Sequence, residues 1–505
     1  MSVARERKFR KIVRNRAARI SRRLARQNFD DQACPIISGS NIQYEMADKS
    51  GAIACGGIGV FQRLVKKVGL VKSIDQKLHL LKRHLPYHES DHVLNIAYNT
   101  LLGGERLEDI ELRRTDEVFL DAIGADRIPD PTTSGDFTRR FTEKNIGQLM
   151  ECINEARGRV WDVQGKGFLE EALIDIDGTI AETLGECKQG MEMSYKGIWG
   201  YAPLIVSLAN TKEILYLVNR PGNVPSHVGA PEWIDRAIEL VEPRSKRTCL
   251  RGDTDFSLTA HFDRWARRVD FIFGMDASSA LVNRAESLPE SAWEPLTRPA
   301  KYDVKTEPRQ KPENVKERIV QEREYKNLRL KSEQVAEFAY RPGKCARDYR
   351  VVVVRKNISV ERGDAVLFDQ IRHFFYITTR EDRSRVEIVF LANERCDQEN
   401  VIAQLKGGVN AMRMPVDNLL SNWAYMVMAA LAWNLKAWFA LLVSDKTTKQ
   451  QLLRMEFRRF FHAVVLIPCQ IVHGARRIIY RVLSYNPWLP TLAATYERIR
   501  CLPSM

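Results

Sequence analysis

The spacing of apolar residues changes period near residue 165, and that change divides the chain. Between about 50 and 155, apolar positions recur every three to four residues, the period of helices with one buried face. Ile58, Phe61, Leu64, Val65 and Val68 form one such stripe, just after Gly56-Gly57. A second helix starts over residues 91–99, and 107–112 and 117–120 continue the pattern. Pro129-Asp130-Pro131 followed by Thr132, Thr133 and Ser134 reads as a turn and a Thr/Ser cap before an arginine-bearing helix. That is how a helix-turn-helix begins, and Arg139, Arg140 and Lys144 could then reach a DNA backbone. The competing reading is a plain helical domain with exposed arginines.

From about 170 the pattern turns to strands, predicted at 169–178, 191–195, 203–209, 214–218, 249–255 and 269–274. Helices are expected at 231–241 and at 257–268, the second capped by Ser257. This order is that of a ribonuclease-H-like core. Residues 285–385 interrupt it with a polar, proline-bearing stretch (287–324) and strand candidates at 335–340, 349–355 and 374–379. The core is expected to resume as a strand at 386–391, then a helix holding Glu399 and an apolar helix near 420–443. The predicted fold class is α/β, a ribonuclease-H-like catalytic core interrupted by a β-rich insertion and preceded by a helical DNA-binding domain. The boundaries are a basic arm at 1–30, the helical domain at 31–160, core at 161–284, insertion at 285–385, core again at 386–445, and a basic C-terminal region at 446–505.

Charge adds a partner. The 505 residues carry a net charge of +14, which points to a polyanion, nucleic acid first and a membrane surface second. Arg5, Arg7, Lys8, Arg10, Lys11, Arg14, Arg16, Arg19, Arg22, Arg23 and Arg26 form a run able to neutralise several phosphates. Free of a partner, such a run is expected to be disordered or a frayed helix. The apolar stretch 423–443 is broken by Asn434 and Lys436 and reads as a buried helix rather than a membrane span. The nine cysteines form no CxxC pair, so reduced thiols in a cytosolic protein are expected and a zinc finger is not.

The candidate chemistry is acidic. Asp175 and Asp177 alternate with Ile174 and Ile176 before Gly178, so both carboxylates lie on one strand face. Arg251-Gly252-Asp253-Thr254-Asp255 ends a later strand in carboxylates. Spacings of four and seven put Arg395, Glu399 and Lys406 on one helical face, a carboxylate between two cations. Each motif alone fits a bland role: a capped turn, or a surface Arg–Glu pair. Together, Asp177, Asp253 and Glu399 can converge if the first and fourth core strands are neighbours. Three carboxylates can hold two divalent cations, and oxygen-only ligands favour Mg²⁺, with Mn²⁺ possible. Residue pattern alone leaves Asp175 or Asp177, and Asp253 or Asp255, open.

These residues carry a resemblance. Asp177-Gly178-Thr179, Arg251-Gly252-Asp253 with Phe256, and Arg395, Glu399 and Lys406 with Asn422-Trp423 and Asn434-Leu435 resemble DDE transposases of bacterial insertion sequences. Within these, the chain is similar to the Tyr–Arg–Glu–Lys signature branch, and in it to the insertion-sequence family called thirteen-eighty. Ala392 stands where the signature has its tyrosine. The resemblance covers nearly all of the chain except the basic arm and selects Asp177, Asp253 and Glu399 as catalytic, metal-binding residues. It implies a homodimer on double-stranded DNA that cuts at terminal inverted repeats and joins 3′-hydroxyl ends to target DNA, in the bacterial cytoplasm with the nucleoid and without a membrane. Related enzymes cut through a hairpin in which a flipped base stacks on an aromatic; Trp199, Trp265 and Trp293 are the candidates. The alternatives are a catalytically inactive repressor or scaffold of the same descent, and a metal nuclease that hydrolyses without strand transfer.

Overall fold

The computed structural model describes residues 3–25, 42–45, 50–84, 86–298, 314–363, 365–474 and 477–503, with side chains from residue 7 onward. Arg5 as a side chain, Arg26, Arg476 and much of the 287–324 stretch lie outside the described residues.

Eight strands carry the architecture: β1 (Glu171–Gly178), β2 (Leu204–Leu208), β3 (Glu213–Val218), β4 (Arg247–Gly252), β5 (Asp270–Met275), β6 (Lys326–Tyr340), β7 (Tyr349–Arg362) and β8 (Ala365–Thr378). They form one mixed sheet in the order β6-β7-β8-β5-β4-β1-β2-β3, with the two-residue strand Glu294–Pro295 outside β6. Strands β1, β4 and β5 run parallel, and the other pairings are antiparallel. The segment read as an inserted β unit is therefore a continuation of the same sheet, joined where Phe375–Thr378 of β8 pairs with Ile272–Met275 of β5.

Around β1 to β5 both sheet faces are largely buried, so these strands read as near-continuous apolar runs, while the far halves of β6 and β8 are exposed. Alternation splits them between two cores. Ile174, Ile176, Leu250, Phe271, Phe273, Val351 and Val353 join the large one, while Cys249, Ile272, Val352 and Val354 pack under Ile388 and Val389. Those last two belong to the helix Arg385–Glu394, where a strand had been expected. The stretch from 385 has the helix-start pattern Ser-x-x-Glu: the Glu387 amide donates to Ser384 Oγ (3.2 Å), and the Ser384 amide donates to Glu387 Oε2 (2.8 Å). That reciprocal cap outweighs the strand propensity of Val386, Ile388 and Val389.

The helix Leu419–Leu441 is buried on every side, which is why it reads apolar all round. It is long and apolar enough to cross a membrane, and all of it lies inside the protein. It packs against helix Glu89–Leu101, helix Glu143–Asp162 and edge strand β3. Two caps differ from expectation. Helix Pro131–Thr138 starts at Asp130, whose Oδ1 accepts from the Thr133 amide, not at a Thr or Ser. Ser257 donates to the Thr254 carbonyl instead of capping helix Thr259–Trp265. Of the strand expected at 191–195 only Glu192–Met193 forms. It joins Trp199–Tyr201 and Ala181–Glu182 in a small three-stranded sheet.

Candidate active site

Parallel β1 and β4 end side by side, with Asp175 opposite Arg251 in register. Asp175, Asp177 and Arg251 share the parity of Leu173 and Cys249, so they face helix Arg385–Glu394. Asp175 is fully committed there. Arg251 grips it in a bidentate pair of 2.7 and 2.9 Å, with both side chains buried, and donates a further bond to the Leu391 carbonyl (2.8 Å). A fork–fork arginine–carboxylate pair of this kind fixes geometry, and it holds the end of the helix over the two strands.

Asp177, two residues on, is left for other work. Arg395 donates to its Oδ2 at 2.9 Å and lies 3.9 Å from Asp253 Oδ2. Burial pushes the Asp177 carboxyl up to about 6, with Arg395 pulling it down and Asp253 pushing it further up. Asp253 is raised as well, again by burial first, with Arg395 opposing and Asp255 adding. Asp253 Oδ1 also accepts from the Asp255 amide (3.0 Å). The structure thus brings Asp177, Asp253 and Arg395 together.

Glu399 is not gathered with them. The helix that carries Arg395 breaks at Arg395-Cys396, restarts as Asp397–Ala403, and widens into a π turn over Gln404–Gly408. Arg395 and Lys406 both turn toward the end of β1: Lys406 Nζ donates to the Ile180 carbonyl at 2.8 Å. Glu399 is exposed, and among the described residues its side chain has no hydrogen-bond or ion-pair partner. Gln398, which sequence reasoning passed over, is buried and donates to the carbonyls of Asp175 and Ile205 (3.1 and 3.2 Å), pinning this segment to β1 and β2. A glutamine inside a charged helix gave no signal for that.

Two half-buried carboxylates with raised proton affinity suit a divalent cation, and their all-oxygen chemistry suits Mg²⁺ or Mn²⁺. Among the described residues, however, no three His, Cys, Asp or Glu side chains are close enough together to hold a metal. The Arg395 guanidinium reaches both aspartates instead. The fit is thus two carboxylates of an expected three.

The other expected contacts divide. Arg139 is paired with Asp136 (2.7 Å) and Asp417 (3.0 Å), while Arg140 is exposed. Both follow the short helix Pro131–Thr138, which buries Ser134, Gly135, Phe137 and Thr138. Arg350 is held by Glu337 and by the carbonyls of Arg380 and Arg383. Arg355 is held by Glu290 and Gln334 and lies over Trp293. Neither arginine is free for a DNA end. Trp265 and Trp293 are buried, and Trp199 is half exposed.

The candidate site is thus an acidic strand end with one arginine shared between two aspartates. A family model described as "Transposase DDE domain group 1" matches residues 39–504, and the chain belongs to that family. No curated protein matches. A structure described as the cryo-EM structure of piggyBac transposase synaptic complex with hairpin DNA is similar over 82% of this chain and 85% of that one. The identity is 11% and the TM-score 0.37, a likeness that carries no argument.

Proposed function

We propose that this protein binds the terminal inverted repeats of an insertion sequence, cuts DNA at the element ends and transfers the 3′-hydroxyl ends to target DNA. One observation carries the reading: Asp177 and Asp253 end neighbouring parallel strands and share Arg395. The order of β1 to β5 supports a ribonuclease-H-like core, with β6 to β8 extending its sheet. Asp177 and Asp253 would hold Mg²⁺ or Mn²⁺, with Glu399 completing the set only when its segment is brought to the strand ends; the metal would supply activation of the attacking oxygen and stabilisation of the leaving one. Arg395 and Lys406 bring positive charge to the same strand end and would grip phosphate oxygens. The working form is a homodimer on double-stranded DNA, acting with the bacterial nucleoid, and the branch is that of the thirteen-eighty family.

A second reading, a repressor or scaffold without catalysis, draws on Glu399 standing apart while Arg395 reaches both aspartates. A nicking assay on a terminal-repeat duplex with Mg²⁺ or Mn²⁺, run beside a gel shift, separates the two. Glu399→Gln, Asp177→Asn and Asp253→Asn are each expected to reduce cleavage by about three orders of magnitude or more and to leave duplex binding in place. Near wild-type nicking by Glu399→Gln sinks its catalytic assignment; no product from the parent protein favours the repressor.

A further inference from the structure

Strand β8 has a neighbour on both sides only along its last part. Phe375–Thr378 pairs with β5, while the stretch from Ala365 to Phe374 pairs with β7 alone. Among the described residues no strand lies against its other edge. Such an edge leaves a row of amides and carbonyls open to another chain. Its side chains do nothing to close it. Val366, Leu367, Phe368 and Ile371 are each more than half exposed, and no proline stands between 365 and 374.

The apolar surface continues across the far half of β6 and β7. Register puts Leu328, Val360 and Phe368 on one face, beside Leu330 and Ile358, and Leu328 and Leu330 are about half exposed. The opposite face is tied by ion pairs, Lys331 to Asp369 (2.8 Å) and Arg329 to Glu361 (3.2 Å). In a protein of net charge +14, the segment 365–371 holds one charged side chain, Asp369, and it is acidic. This edge suits a protein strand and not a polyanion.

The segment also matches itself. Two copies of one strand, antiparallel about a two-fold axis, place one residue opposite its own copy, because opposed residues share a face. With Ile371 at the axis, Gln370 meets Arg372 of the second copy, Asp369 meets its His373, and Phe368 meets its Phe374. Each pair is then apolar with apolar or acceptor with donor. An axis at Gln370 would set Phe368 against Arg372, and an axis at Arg372 would set two guanidinium groups against each other. We propose that β8 pairs with β8 of a second copy about an axis at Ile371, joining the β6-β7-β8 strands of both copies in one six-stranded sheet. This contact forms without DNA. It gives the homodimer of the proposed function its surface and rests on that reading for its partner.

The full-length protein is sized without DNA by sedimentation velocity across a dilution series, and the parent should dimerise. Ile371→Lys puts two ammonium groups at the axis and should raise the dimer dissociation constant about thirty-fold or more; thermal melting checks that the fold survives. Ile371→Cys should form a disulfide with its own copy under mild oxidation, since directly paired residues lie within bonding reach. Val366→Cys, which this register sets roughly 30 Å from its own copy, should not. The parent protein controls for native thiols, and peptide mass locates the bridge. Equal cross-linking of the two cysteine variants, or a dimer that Ile371→Lys leaves intact, overturns the β8 pairing. A parent that is monomeric alone yet binds a terminal-repeat duplex as pairs overturns it too, and leaves the homodimer on DNA standing.

Discussion

Two aspartates two residues apart on one strand face have opposite roles. Asp175 neutralises the buried guanidinium of Arg251, and removing one partner of a buried pair leaves an uncompensated charge. Asp175→Asn is therefore expected to cost about 3–5 kcal/mol, read as a lower urea midpoint. Asp177 is a half-buried carboxylate with a raised proton affinity, so Asp177→Asn should change stability by about 1 kcal/mol or less. Equal losses would mean that both are structural. Lys436 makes a third case. It is buried in the central helix, donates to the Leu453 carbonyl at 2.9 Å, and lies 3.8 Å from the Trp433 ring centroid. Burial pulls its ammonium down to about 7. An unfolded lysine titrates near 10.4, so between about 7 and 10.4 the unfolded chain binds the extra proton and stability rises with pH. Below about pH 7 the full cost is present. Lys436→Met should stabilise the protein by about 1–4 kcal/mol at neutral pH, and urea melts at pH 7 and 9 should differ less in the variant than in the parent.

At the scale of elements, the central helix protects a sheet edge. Strand β3 is the last in its sheet, and an edge exposes unpaired amides and carbonyls. Asn434 meets that need as a neighbouring strand would: its Oδ1 accepts from the Ile214 amide (2.9 Å), and its Nδ2 donates to the Ile214 carbonyl (3.1 Å). Trp423 and Trp433 donate to the carbonyls of Leu217 and Lys212, both at 2.6 Å. The polar break in the apolar stretch is thus the part that lets a helix cover a strand. Asn434→Leu keeps the volume but leaves the buried Ile214 amide unmatched, while the Ile214 carbonyl still accepts from Arg157. A loss of about 1–3 kcal/mol is expected, for one unsatisfied group, along with faster hydrogen exchange at Ile214. A neutral effect would show that water replaces the side chain.

Across the whole molecule the two ends of the chain meet. Ala52-Ile53 pairs with Cys469-Gln470 of the C-terminal hairpin. The basic arm, expected to be disordered or frayed when free, forms helix Val3–Leu24, and Arg16 donates to the carbonyls of Val482 and Ser484 (3.1 and 3.2 Å). Its remaining described cations lie mostly exposed on a single helix, a rod of charge suited to phosphates. Deleting residues 1–27 should weaken DNA binding and flatten its salt dependence, since each lost phosphate contact releases fewer counterions. Nicking at low salt should persist. A salt slope equal to that of the full chain would remove the arm from the DNA contact.

The sequence alone determined whatever depends on local period and composition. It set the shift from helices to strands near 165, the strands β1 to β5, the buried helix near 420–443 with its polar break at Asn434 and Lys436, and the carboxylates at the ends of β1 and β4. Alternation within a strand and apolar spacing within a helix are local properties, and burial enforces both. The expected strand at 386–391 became a helix because the Ser384–Glu387 cap is a side-chain pattern that apolar period does not register. The residue pattern left Asp175 and Asp177 open and the resemblance chose Asp177; only the tertiary structure shows what Asp175 does instead, since its partner Arg251 lies 76 residues away. Only it joined β8 to β5, kept Glu399 apart from the aspartates that Arg395 reaches, and left the first part of β8 as an open edge. Those outcomes depend on which distant groups a strand edge or a charged side chain meets, and that is fixed when the sheet and the central helix pack.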